Sequence, residues 1–148
     1  MPPAVTLALS ILALVAQTVS GLIFALAGAI KLTQRQQFAS LVERFRVLPK
    51  RASRKFAAAL PPVELGLGLS ILAQFGQPWP EIAGAILLMV FAVAVAINLA
   101  RGENQLNCGC FGMSQTISWR LVLRNLSLAL VLVALGTYRA VSAGSALQ

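Results

Sequence analysis

Two cysteines, Cys108 and Cys110, stand one glycine apart in Asn107-Cys108-Gly109-Cys110-Phe111-Gly112, and the chain has no other thiol. Three readings suit such a pair. A disulfide across a single glycine is cramped, and strained disulfides are the labile, catalytic kind, so the pair can be a redox dithiol. Paired thiolates also suit Cu(I) and similar soft ions. The bland reading is two small apolar fillers at a helix end. With 2 Cys and no histidine, the usual four-ligand zinc site cannot be built from Cys and His of one chain, and no metal ligands are assigned. The flanking Asn-Cys-Gly-Cys-Phe-Gly reads as a structured turn rather than filler.

Glu64 is the second chemical signal. It stands alone among the charges between Phe56 and Pro80. A carboxylate inside a membrane helix is costly unless paired, neutral or hydrated, which makes it a functional candidate by default. Lys31 is its natural partner, either as an ion pair locking two helices or as part of a proton relay. Asn98, Arg101, Arg124 and Asn125 fall at the same membrane depth when the helices are laid antiparallel, around a mouth covered by the cysteine segment. For the arginines the ordinary alternative is snorkelling to headgroups, which suits Arg120 best.

These residues need elements to hold them, and the charge pattern supplies those elements. Of 148 residues 58% are hydrophobic and 11% charged, with a mean hydropathy of +0.82. Soluble domains carry roughly a quarter charged residues. The charges are also clustered: none precedes Lys31, and none lies between Ile82 and Ala100 or between Asn125 and Tyr138. Spans of ~20 apolar residues cross the hydrocarbon core. The expected fold is therefore an all-α membrane protein, a single four-helix transmembrane domain over residues 1–148. Its helices run from Val5 to Leu32, Phe56 to Phe75, Glu81 to Ala100 and Trp119 to Tyr138, with the cysteine loop between the third and fourth. The first span lacks the basic start of a cleaved signal peptide and reads as a retained helix with its amino terminus outside. Between Thr33 and Lys55, Leu41-Val42, Phe45 and Val47-Leu48 give a partial helical pattern, expected as a short surface helix broken at Pro49.

Four spans put the 33–55 and 101–118 loops on one side. Eight of the twelve Lys and Arg lie from Lys31 to Lys55, three more (Arg101, Arg120, Arg124) flank the second loop, and only Arg139 is on the other side. The positive-inside rule places both loops in the cytoplasm. The charge of +8 follows from this asymmetry and from contact with the anionic headgroups of the bilayer, its first partner. Nucleic acid is excluded as a partner by the lack of any motif or soluble domain to carry it.

An ordered set of residues resembles the methylamine utilisation protein MauE family, within the DoxX-like group of small four-helix membrane proteins. It comprises Phe24, Ala27 and Lys31-Leu32; Phe38 and Phe45; Leu48-Pro49; Leu60-Pro61 and Glu64; Asn98-Leu99 with Arg101-Gly102; Cys108-Gly109-Cys110-Phe111-Gly112; Ser118-Trp119; and Arg124-Asn125. The resemblance implies a bacterial inner-membrane component of a thiol–disulfide system. In the namesake case this supports maturation of the disulfide-rich methylamine dehydrogenase beside a thioredoxin-fold partner. It also implies an outward-facing cysteine loop, against the charge rule. Quinone-linked disulfide oxidases look similar but carry more than one cysteine pair, so a quinone is compatible but unsupported and no cofactor is required.

The expectation is a thiol–disulfide exchange protein with Cys108 and Cys110 as its redox pair and a thioredoxin-like protein as its partner. Arg101 and Arg124 would lower a thiolate pKa by proximity. The alternatives are a small transporter or soft-metal-binding protein using the same polar mouth, and a non-catalytic assembly factor. Homo-oligomerisation is not readable from the sequence.

Overall fold

The computed structural model describes residues 3–103 and 117–145, so Cys108, Cys110 and the rest of 104–116 lie outside the described residues. Five helices follow in order: α1 (Pro3–Thr33), α2 (Arg35–Arg44), α3 (Lys50–Leu72), α4 (Trp79–Ala100) and α5 (Trp119–Ser145). There is no strand among the described residues. Four of the helices, all but α2, are long and apolar enough to cross a membrane. Their outward faces carry Leu7, Leu12, Ile86, Leu123 and Leu130, all well exposed. Such faces suit lipid, where a water-facing helix would need a polar stripe.

The element boundaries follow from local chemistry. α1 runs uncharged to Lys31 because nothing in it disfavours helix or hydrocarbon. α2 ends at Arg44 and is capped by Phe45, after which Arg46 takes a left-handed conformation (φ 48°), costing a non-glycine residue about 1–2 kcal/mol. Pro49, in extended geometry, then caps α3. The second span therefore begins at Lys50, earlier than the Phe56 expected: Lys50–Lys55 are good helix formers that prolong it into the headgroup region. It stops at Leu72, because Gln74 (φ 57°) and Gly76 (φ 72°) turn the chain back. α4 opens two residues early, since Pro80 is tolerated in a first helical turn. α5 runs on past Tyr138 to Ser145.

The spans pack mainly as two antiparallel pairs, α1 with α3 and α4 with α5. Close approach in the first pair depends on glycine. A Cβ on Gly28 would stand 2.5 Å from the Leu65 amide nitrogen and 2.8 Å from the Pro61 oxygen. The two pairs meet over Phe24, Ile71, Ala85, Leu88, Ala129, Leu132 and Leu135. α2 packs on α3, burying Phe38 against Ala57 and Leu60.

Candidate functional site

Lys31 and Glu64 meet. The Lys31 ammonium donates to both carboxylate oxygens of Glu64, at 2.6 Å to Oε1 and 2.7 Å to Oε2. Each residue is only 3% exposed. Gly28, one turn before Lys31, lets α1 close on α3 at the level of Leu65, next to Glu64. Glu64 lies nine residues beyond Lys55, which is ~13 Å along a helix, inside the loop-end half of a span that crosses a ~30 Å hydrocarbon core. Pro61 and Pro62 sit in the turn before it and withhold two backbone N–H groups from the helix ladder.

Two aromatic faces close the pair. The Lys31 nitrogen lies 5.1 Å from the Phe38 ring centre and 4.9 Å from that of Phe91. Both distances fall within cation–π range. Phe38 comes from α2 and Phe91 from α4, so four helices converge on one ammonium. Bidentate bonding, two rings and near-complete burial make this a dry, satisfied ion pair. Chemically it is suited to fixing helices, because the carboxylate already accepts at both oxygens from a single donor.

The remaining polar residues of the mouth take different positions. Asn98 is 1% exposed and its amide donates to the Ala94 carbonyl at 2.9 Å, within its own helix. Asn125 is buried on α5 and faces an apolar groove. Arg101 reaches across to the α2–α3 turn, donating to the Arg46 carbonyl at 3.3 Å. Arg124 is half-buried on α5, and Arg120 is exposed. All of these belong to the loop end of the bundle.

Both flanks of the cysteine segment are anchored there. Gly102 takes φ 78° and donates to the Leu99 carbonyl, and the Glu103 amide donates to the Asn98 carbonyl at 3.1 Å. On the far flank Ile117 is buried with Ala92, Val95, Leu121 and Val122. The segment that carries Cys108 and Cys110 thus leaves and re-enters the scaffold at fixed points. Among the described residues, no group of three or more Cys, Asp or Glu side chains could hold a metal ion.

Sequence reasoning missed a second polar centre at the opposite end. The Arg139 guanidinium donates to the side-chain oxygens of Gln77 and Gln17, and the Gln17 amide donates to the Ile71 carbonyl at 2.6 Å. Beside it, on the face of α4 that meets Gly136 of α5, lies Glu81. It is 0% exposed, and neither of its oxygens meets a donor among the described residues. Pro78 caps this helix and has no N–H for a glutamate at the third position to accept from, so the usual reciprocal capping bond cannot form. The signal was present in the spacing. Glu81, Ala85, Leu88, Ala92, Val95 and Asn98 form one inward stripe, yet Glu81 reads as a helix start when it is judged by its place in the chain alone.

The profile of the family described as "Methylamine utilisation protein MauE" matches residues 9–138. A "Methylamine utilization protein MauE" of Paracoccus denitrificans is 43% identical over 118 residues, 78% of this chain and 63% of that protein. The protein of that name from Methylorubrum extorquens is 39% identical over 111 residues, 74% of this chain and 60% of the relative. That of Methylophilus methylotrophus is 30% identical over 117 residues, 79% and 61% respectively. The chain therefore spans less than two thirds of the length of these relatives. No solved structure matches it. The match over nearly the whole four-span scaffold, Lys31 and Glu64 included, shows that the chain belongs to the methylamine utilisation protein MauE family.

Proposed function

We propose that this chain is a membrane-embedded dithiol protein serving methylamine utilisation by exchanging disulfides with a thioredoxin-fold partner. The observation that carries the reading is the anchoring of both flanks of the Cys108–Cys110 segment, at Gly102-Glu103 and at Ile117, on the end of the helix bundle. A redox pair needs such a platform, since a partner must reach it in a defined orientation. Arg101 and Arg124 on the same end would favour the thiolate form of a nearby cysteine.

The exchange balances without further reactants. One thiolate of the pair attacks a sulfur of the partner's disulfide, forming a mixed disulfide and releasing the partner's other sulfur as a thiolate. The second cysteine, as thiolate, then attacks its neighbour's sulfur in that mixed bond. This forms the Cys108–Cys110 disulfide and frees the partner's second thiolate. Two electrons pass to the partner, and each cysteine proton goes to water. The same steps run in reverse when the partner has the lower potential. With the eight basic residues of 31–55 holding that end in the cytoplasm, the donor is a cytoplasmic thioredoxin-like dithiol and the pair accepts its electrons.

In this reading the Lys31–Glu64 pair is a helix lock that holds the platform, and it is not in the electron path. The test is trapping. With the partner supplied in its disulfide form, so that the exchange runs from the pair to the partner, Cys108→Ser or Cys110→Ser, one but not both, should capture a thioredoxin-fold protein in a covalent complex that dithiothreitol dissolves. If both variants keep full activity and trap nothing, the redox reading is wrong.

A further inference from the structure

A groove of about 880 Å³ runs down the face formed by α4 and α5, roofed by α2 and the α2–α3 turn. Phe45 and Leu48 line its upper end, Met89 and Val90 its middle, and Ile82 and Val133 its lower end, while Asn125 is its polar residue. From Ile82 to Val95 it follows thirteen residues of α4, ~20 Å at 1.5 Å per residue. One leaflet of hydrocarbon is ~15 Å deep, so a whole acyl chain fits along it.

The upper end is cationic. Arg44 and Arg46 bracket the groove-lining Phe45, and both are exposed. Arg101 joins them by donating to the Arg46 carbonyl. Arg46 holds a left-handed backbone to make this turn. Among the described residues the two ion pairs are Lys31–Glu64 and Arg54–Glu43, and neither includes these three arginines. Three arginines thus stand beside the turn that lines the upper end of the groove, Arg44 and Arg46 next to Phe45 in the chain and Arg101 bonded to the Arg46 carbonyl.

We propose that this groove is a binding site for one anionic phospholipid, with its phosphate between Arg44, Arg46 and Arg101 and an acyl chain lying along α4 and α5. The lipid would seal α2 against the second helix pair, a contact the protein makes through few side chains of its own. The inference stands apart from the disulfide-exchange reading, and its test has no redox readout.

The full chain is placed in nanodiscs of equimolar phosphatidylglycerol and phosphatidylcholine, extracted gently and weighed by native mass spectrometry. One phosphatidylglycerol per chain should survive extraction. Each basic side chain near the surface is worth roughly a five-fold preference for anionic lipid, so three give a preference on the order of 100-fold over phosphatidylcholine. The double variant Arg44→Gln/Arg46→Gln should weaken retention roughly 25-fold by the same measure. Val90→Trp, at a lipid-exposed position that folding does not need buried, should block the chain and abolish retention. Equal retention of the two lipids by the unaltered protein overturns the proposal without recourse to any variant. So does unchanged retention in the double arginine variant, or a groove that yields a neutral isoprenoid or a protein segment that phosphatidylglycerol does not displace.

Discussion

The two ends of this bundle hold buried carboxylates in opposite circumstances. At the loop end, Glu64 accepts twice from one ammonium and two phenylalanine rings complete the enclosure. At the far end, Glu81 is equally buried and neither of its oxygens meets a donor among the described residues, while Arg139 donates to the side-chain oxygens of Gln17 and Gln77. On α1 the two centres, at Gln17 and Lys31, are fourteen residues apart, ~21 Å along the helix, with the apolar layer around Phe24 between them. The contrast separates a carboxylate whose two oxygens are both met from one whose oxygens meet no donor among the described residues. Burial alone does not tell the two apart; the count of satisfied oxygens does.

The largest effect should come from breaking the satisfied pair. Removing one partner of a buried ion pair costs about 3–5 kcal/mol, because the other charge is left uncompensated. Glu64→Gln should therefore sharply lower the thermal midpoint of the detergent-solubilised protein, and adding Lys31→Met should recover most of the loss. Additive losses would mean that the two side chains do not work as a unit.

Next in size is the approach that makes the pair possible. Gly28→Leu drives a side chain into the α3 backbone at Leu65, an overpacking worth about 1–3 kcal/mol. Circular dichroism melts should show this, and a stability equal to wild type would refute the close α1–α3 contact.

The same change of Glu to Gln at the far end sharpens the comparison. Glu81 has no bond among the described residues to lose, so Glu81→Gln should be neutral or raise the melting temperature, opposite in sign to Glu64→Gln. A loss as large as that at Glu64 would show that Glu81 is paired after all. A smaller loss than those at Glu64 and Gly28 belongs to the rings: Phe91→Leu keeps the site apolar but forfeits one cation–π contact, about 0.5–2 kcal/mol, and should leave the Lys31–Glu64 coupling measurable in a double-mutant cycle.

Much of this was legible beforehand. The charge-free runs name the spans directly. The Lys31–Glu64 pairing followed from opposite charge at equal depth. What escaped was set by tertiary packing. α2 has the basic, half-apolar look of a surface helix, yet Phe38 finds Ala57 and Leu60 on a stretch of α3 that starts six residues above Phe56. Glu81 escaped because its first-turn position resembles an interfacial one, and only the neighbouring Gly136 shows that α5 covers it. The groove escaped because its walls come from four separate helices and the α2–α3 turn, and no single stretch of sequence displays it.

The central claim is that Cys108 and Cys110 act as one two-electron couple, and their oxidation state tests it most directly. The full chain in native membranes is equilibrated against thiol buffers from roughly −320 to −120 mV, the range of known exchange proteins. It is then acid-quenched and tagged with a heavy maleimide. The account predicts that both thiols disappear together, in one step fitted by two electrons, and that Cys108→Ser or Cys110→Ser leaves the remaining thiol tagged throughout. If both thiols of the unaltered protein stay tagged across the whole range, or are lost independently, the pair is no redox couple and the proposed exchange does not occur.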